Sequence, residues 1–426
     1  MNAVIDEIEA LDLGKYLKPG DRIIWGQACG EPTTLVRTLL QQAPDIGELS
    51  AFTSTSFSGL LTPEACGDHL KVASMGAIGA LRKLAAAGQL GIIPCHVSRI
   101  APMIREGSIP CDVAMVQVSP PDSEGRHSFG LIHDTVRAAV ETARVVIAEV
   151  NDQVPFTLGA ETLHADEITC AVRCSSPPVE VASAGPGETD TAIARHLSGF
   201  IEDGSCLQVG IGGVPDAVMR LVGDRKDLGI HSGMIGDSVA ELMARGVITN
   251  ARKPIDQGVA ITGALIGTRK LFDFAHQNGA IGMRSSTYTH GQAVLGQLSA
   301  LVTINSAVEV DLTGQVNAEQ SGDKYLGGTG GQVDYVRAGL VSEGGRSVIA
   351  LPSTARKGTV SRIVPTLSGP VTTSRSDVDI IVTEFGAAEL QGLTLAERTR
   401  RLVEIAHPDF REELERAAHG IMKRGF

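Results

Sequence analysis

"GDRIIWGQACGEPTTLV", residues 20–36, decides the fold because it occurs twice. Its counterpart is "GSCLQVGIGGVPDAVM", residues 204–219. Each copy reads as an apolar strand, a Gly-rich turn, a Pro and then a helix. Further pairs follow in the same order. "RKL" at 82–84 returns at 269–271, and "DSEG" at 122–125, after "DVAMVQVSPP", returns as "DLTG" at 311–314 after "ALVTINSAVEV". "RVVIAEV" (144–150) returns as "RSVIALP" (346–352). The offsets are 184, 187, 189 and 202 residues, in order and slowly growing, which implies two similar halves.

Within each half, buried apolar strands alternate with helical stretches such as Thr34–Gln42 and Asp216–Val222. That is the βαβ pattern of a parallel sheet. The expected fold is therefore α/β, with two similar domains, each a mostly parallel sheet flanked by helices. "CSSPPVEVASAGPGETD" (174–190) reads as the connection, giving domains 1–180 and 190–426. Two similar halves usually place a site in the cleft between them.

Composition agrees. The 426 residues are 43% hydrophobic but only 4% aromatic, with 49 glycines, as suits strands buried on both faces. A net charge of −12 argues against a nucleic-acid surface. No apolar run reaches the roughly 18 residues of a membrane span. "MNAVIDEIEA" lacks a signal peptide's basic and apolar regions, and seven cysteines without a CxxC pair read as reduced thiols. Both features predict a cytoplasmic protein. The 11 histidines are scattered without ligand spacing, so no metal is expected.

Four segments invite chemistry. In "VGIGGVPDAV", Gly210, Gly212 and Gly213 follow a strand and Pro215 opens a helix. This is either a tight strand-to-helix turn or a place where backbone N–H groups meet an anion or carbonyl oxygen. "GGTGGQVDYVRAG" (327–339) has four glycines in five residues, Gly328, Gly330 and Gly331 among them, before Gln332. Such a run suits close approach of a ligand to the backbone. "TARKGTVSRIVP" (354–365) gathers Arg356, Lys357 and Arg362, either phosphate partners or a solvated patch. A fourth segment, "DLGIHSGMIGDSVAEL" (227–242), carries a short strand, Leu228 to Ile230, into a turn, with a helix opening at Asp237. Strand carboxyl ends are where α/β enzymes place reactive groups.

These stretches resemble a known family. "VSPPDSEGRHSFG", "VIAEVND", "LGIHSGMIGDSVAELMARGVITN", "VTTSRSDVDIIVTEFGAAEL" and "AHPDFREEL" complete the set, which runs from about Leu17 to Leu414. The sequence is similar to the acetyl-CoA hydrolase/transferase family, in particular its 4-hydroxybutyrate coenzyme A transferase branch. The resemblance implies two related α/β domains, acyl-CoA and a small carboxylic acid as substrates, no metal, and a homodimer or larger homo-oligomer. It implies a ping-pong reaction in which a glutamate carboxylate attacks the thioester, giving an anhydride and then a glutamyl-CoA thioester. The "GQACGEP" and "VGIGGVP" turns would help form an oxyanion hole. CoA would lie along "GGTGGQ", with its phosphates near the basic cluster.

At the nucleophile the resemblance breaks. The family pattern is His-Ser/Thr-Glu-Met, and this chain reads His231-Ser232-Gly233-Met234. Gly233 cannot form a glutamyl thioester. One reading is thioester hydrolysis or carbon–carbon cleavage without a covalent glutamate. Another substitutes Asp237, Glu241 or Glu319, although Asp237 is expected to cap its helix and Glu241 to face solvent. The alternative class is a catalytically silent acyl-CoA binding protein, or a transferase whose nucleophile has been removed. His231 is a candidate base or an orienting group for the turn. Ser232 has no His/Asp context for a serine-hydrolase role. Gln27 and Asn305 sit at strand ends, where each either donates to a thioester oxygen or satisfies backbone groups.

Overall fold

A computed structural model describes residues 3–5 and 8–424. The first half builds strands β1 (Ala3–Ile5), β2 (Arg22–Trp25), β3 (Leu49–Phe52), β4 (Leu70–Ser74), β5 (Leu90–Ile92), β6 (Val113–Val118), β7 (Val145–Asn151) and β8 (Cys170–Cys174). They form one eight-stranded sheet in the order β1-β8-β7-β6-β2-β3-β4-β5, parallel throughout. Every residue of β6 is buried, as expected of a parallel strand covered on both faces.

The second half supplies β9 (Cys206–Gln208), β10 (Gly229–Ile230), β11 (Ala260–Thr262), β12 (Ile281–Met283), β13 (Leu301–Ser306), β14 (Arg346–Ala350), β15 (Ile380–Thr383) and β16 (Gly386–Glu389). A six-stranded sheet runs β10-β9-β13-β14-β15-β16. Five strands of the first sheet, β8-β7-β6-β2-β3, thus recur as β15-β14-β13-β9-β10 in the same order. The repeated segments fall on equivalent strands: 20–36 on β2 and 204–219 on β9, 144–150 on β7 and 346–352 on β14. The internal duplication is a property of the fold.

The copies diverge after the fifth strand. In the first sheet β4 and β5, joined through the helix Leu81–Ala86, extend the sheet. Their counterparts β11 and β12, joined through Arg269–Ala275, pair in parallel with each other in a separate two-stranded sheet. That departure redraws the expected boundary. One compact unit contains residues up to Ala182 together with Gly233–Asp237 and Val259–Gly291. The other contains Ser183–Ser232, Ser238–Gly258 and Gln292 onward. The connection at 174–190 is where the chain first changes unit, but 190–426 is not one continuous body. Bridges Ile132↔Ala264 and Ile235↔Leu265 tie the returning segments into the first unit.

Each unit has its own core. In the first, Leu35, Val36, Leu39 and Ala43 of the helix Thr33–Ile46 form one buried stripe packed with Ile23, Trp25 and Met115. That helix begins after Pro32, which offers no side-chain cap. The cap comes from β7, where Glu149 Oε2 accepts from the N–H groups of Thr34 (2.9 Å) and Leu35 (3.1 Å). In the second unit Val310, Val336, Ile349, Ile381 and Leu402 lie in one cluster. All seven cysteines are free. Among the described residues, no helix is long and apolar enough to cross a membrane.

Candidate active site

The strand-end turn is anchored from below. Gly229 and Ile230 pair with Cys206 and Leu207. Asn250 Oδ1 accepts from Ile230 N at 2.8 Å, and the buried Lys253 Nζ donates to the Ile230 carbonyl at 3.0 Å. His231 follows, completely buried, its N–H bonded to the Leu207 carbonyl at 3.1 Å. The Ser232 hydroxyl, also buried, donates to the Val209 carbonyl at 2.8 Å. Both residues belong to the interior of the second unit. The His231 ring has no exposed surface and packs beneath the turn.

From Gly233 onward the turn belongs to the first unit. The Gly233 carbonyl accepts from Gly263 N (3.2 Å), and Ile235 N donates to the Ala264 carbonyl (3.0 Å). On the other side of that segment, Leu265 N donates to Leu131 O (2.8 Å) and His133 N to Gly263 O (2.9 Å). Residues 131–134, 263–266 and 233–235 therefore lie side by side.

Two side chains stand at this crossing. Asp134 takes N–H bonds from the Gln27 side-chain amide and from Thr135 N (2.6 Å), while its carbonyl accepts from Ser286 N (2.7 Å). Burial pushes its carboxyl above the ordinary value, opposed by the Gln27 and Thr135 hydrogen bonds. Gln27 thus commits one amide hydrogen to the buried Asp134. The second side chain is His290, 6% exposed, just beyond the short helix Ser286–Thr289. Gly233 has no positive φ, so its backbone does not require glycine. A Cβ there would fall 2.5 Å from Cε1 and 2.7 Å from Nε2 of His290. The ring holds the space in which a side chain at 233 would begin.

The other carboxylates are engaged elsewhere. Asp237 does not cap its own helix, Asp237–Ala244; its oxygens accept from Thr268 N (3.0 Å) and Thr268 Oγ1 (2.9 Å), fixing the 267–268 turn. Glu319 is buried and accepts from Tyr325 OH (2.5 Å) and Thr372 Oγ1 (2.7 Å). Glu241 lies exposed on its helix.

The Gly-rich segments keep their places in the second unit. Gly210 and Gly212 have open space where a Cβ would stand, and Gly212 (φ 116°) caps the helix Gly213–Leu221. Gly213 lies against the Asp190 carboxylate. In the 327–331 run, a Cβ on Gly327 would strike the Ala318 carbonyl, and Gly331 is the N-cap of the helix Gln332–Val341. Gly328 and Gly330 are half-buried between them. Gln332 is spent internally: its amide donates to Ser306 O (2.7 Å) and accepts from Thr373 Oγ1 (3.1 Å). Asn305 donates to Gln208 Oε1 at 3.0 Å. Arg356 and Lys357 form the tip of the hairpin Thr354–Ala355/Val360–Ser361, both with positive φ (49° and 59°). Non-glycine residues seldom hold that conformation, and here it fixes two basic side chains at an exposed tip.

Two sheets that share five parallel strands in the same order, the second closed by an antiparallel edge strand, with glycine turns at their strand ends, define a duplicated α/β enzyme scaffold. The chain belongs to the acetyl-CoA hydrolase/transferase family: the family's N-terminal domain matches residues 5–180 and its C-terminal domain residues 267–418. It is 41% identical over 396 residues to the 4-hydroxybutyrate coenzyme A transferase of Clostridium kluyveri, covering 92% of each chain. Among solved structures, RipA from Yersinia pestis superposes with a TM-score of 0.92 at 34% identity, covering 99% of this chain and 98% of that one. A 4-hydroxybutyrate CoA-transferase from Porphyromonas gingivalis gives 0.84 at 36% identity, covering 99% and 98%. The chain is an enzyme of this family.

Proposed function

We propose that the enzyme cleaves the thioester of a small acyl-CoA, of the acetyl or 4-hydroxybutyryl type, by hydrolysis and not through a glutamyl-CoA intermediate. One observation carries the reading: position 233, at the carboxyl end of a strand, is a glycine whose side-chain space holds an imidazole. A ping-pong transfer between acids needs a covalent carboxylate. Asp134, Asp237 and Glu319 are each tied to internal partners. Water is then the acceptor. Within the second unit, we assign the open Gly210–Gly212 turn and the exposed Arg356–Lys357 tip to the coenzyme A part of the substrate, the cations to its phosphates. We place the enzyme in the cytoplasm as a homo-oligomer.

The test is mass-resolved turnover of acetyl-, butyryl- and 4-hydroxybutyryl-CoA, with and without acetate. The expected result is free CoA and the matching acid, at a rate indifferent to acetate. Acetyl-CoA formed from butyryl-CoA and acetate identifies a working carboxylate and overturns the reading. Binding without consumption identifies a silent acyl-CoA binder.

A further inference from the structure

We propose that Arg362, at the base of the hairpin Thr354–Ala355/Val360–Ser361, grips the phosphates of the coenzyme A moiety and sets the affinity for it. The assignment rests on the coenzyme A placement proposed above and names the residue that carries the binding, which is not one of the two at the tip.

The stretch is unlike the rest of the chain. The protein has a net charge of −12, yet residues 344–376 contain five cations, Arg346, Arg356, Lys357, Arg362 and Arg375, and no acidic residue. Arg346 is paired with Glu389 at 3.0 Å. Among the described residues, Arg356, Lys357 and Arg362 form no ion pair and no side-chain hydrogen bond. Three cations of one hairpin are thus left for an anion from outside the chain.

Arg362 differs from the other two in its surroundings. Thr354 pairs with Ser361 and Ala355 with Val360, so Arg362 follows the last pair, away from the tip. Its N–H donates to the Ser353 carbonyl (2.8 Å) and its carbonyl accepts from Val310 N (2.8 Å), which fixes the backbone on both sides. The side chain is half-buried, whereas Arg356 and Lys357 are exposed. Burial pulls Arg362 below the ordinary arginine value, with the charge of Glu384 opposing. Glu384 does not pair with it. Its Oε2 accepts from Ser353 N at 2.8 Å and its Oε1 from the Ser353 hydroxyl at 2.6 Å. The buried Ser353 holds that carboxylate, and the guanidinium keeps its donors.

A half-buried cation without a counter-ion is costly, and a phosphate that brings two oxygens to the planar fork removes that cost. The contact is stronger at this position than at the tip, where water and salt screen the charges. The tip therefore attracts the phosphates and the base of the hairpin holds them.

The experiment is calorimetric titration of the full chain, Arg362→Met, Arg362→Lys and the double variant Arg356→Ala/Lys357→Ala. The probes are CoA, dephospho-CoA and pantetheine. Arg362→Met is expected to weaken CoA binding about 10–100-fold and to leave pantetheine binding unchanged. Arg362→Lys should lose less, since it keeps the charge without the fork, and it reports should Arg362→Met fail to fold. The tip double variant should show a smaller loss than Arg362→Met. A loss seen with CoA and absent with dephospho-CoA puts the contact on the 3′-phosphate, and a loss common to both puts it on the diphosphate; either supports the assignment. A folded Arg362→Met that binds CoA at nearly the parent affinity overturns it. So does equal weakening of CoA and pantetheine, which marks a structural role, or a larger loss in the tip variant. Binding needs no turnover, so acetyl-CoA formed in the turnover test overturns the hydrolysis reading alone.

Discussion

Gly233→Glu alone is expected to produce no CoA transfer, whereas Gly233→Glu combined with His290→Ala produces it. The backbone at 233 accepts an ordinary residue, because its φ is not positive. The obstacle is the ring: the new Cβ would sit 2.5 Å from Cε1, inside van der Waals contact. His290 is 6% exposed and held at Nδ1 by Thr289, so it cannot simply swing into solvent. Forcing both groups into one space costs about 1–3 kcal/mol and displaces the glutamate from any productive pose. Removing the ring opens the space. Restoring a covalent nucleophile is then expected to raise transfer from butyryl-CoA to acetate on the order of 10³-fold or more over the single variant. Equal transfer by single and double variants would show that the ring does not control the position.

The second large effect concerns stability and pH. Glu149 is fully buried, and burial pushes its carboxyl up to about 7 against the opposing hydrogen bonds from Leu35 and Thr34. Glu31, also fully buried, is pushed up to about 7 by the same cause, opposed by Ser56 and Ser58. A carboxyl raised in the folded state keeps its proton at pH values where the unfolded chain has lost it. Its contribution is complete below about 4.5 and is lost as pH rises through about 7. Stability should therefore fall between pH 5 and 8, by up to about 3 kcal/mol for each group. Glu149→Gln should flatten that slope. Glu149→Ala should lower stability at both pH values by about 3 kcal/mol, because two N–H groups at a buried helix start lose their acceptor. Urea unfolding at pH 5.5 and 8.0 checks both. Parallel pH dependence in the parent and Glu149→Gln would remove Glu149 from the account.

The sequence made the sheets legible because strand, turn and helix recur as local patterns. The segments 20–36 and 204–219 landed on equivalent strands, and the shared order of five strands followed. The departure of β11 and β12 was not legible. Their local pattern matches β4 and β5, and long-range bonds, among them Leu265 N to Leu131 O and Met283 N to Leu158 O, carry them into the first unit. The same physics governs the site. Gly233 stood out because its neighbours match a family motif and it does not. His290 and Asp134 gave no local signal: "TYTHGQ" and "LIHDTV" are ordinary helix-boundary stretches, and their meaning lies in contacts far along the chain. His231, prominent in the motif, is a buried support. Asp237 obeys a capping pattern in sequence yet bonds Thr268, because the 267–268 turn offers a hydroxyl and an N–H together.

Turnover of butyryl-CoA in ¹⁸O-labelled water with acetate present, followed by mass analysis of the acids, the acyl-CoA pool and the intact protein, separates thioester cleavage by water from transfer through a covalent carboxylate. Cleavage by water yields butyrate carrying one labelled oxygen, no acetyl-CoA, and protein of unchanged mass. Acetyl-CoA in the pool, or a CoA adduct on the chain, would contradict it.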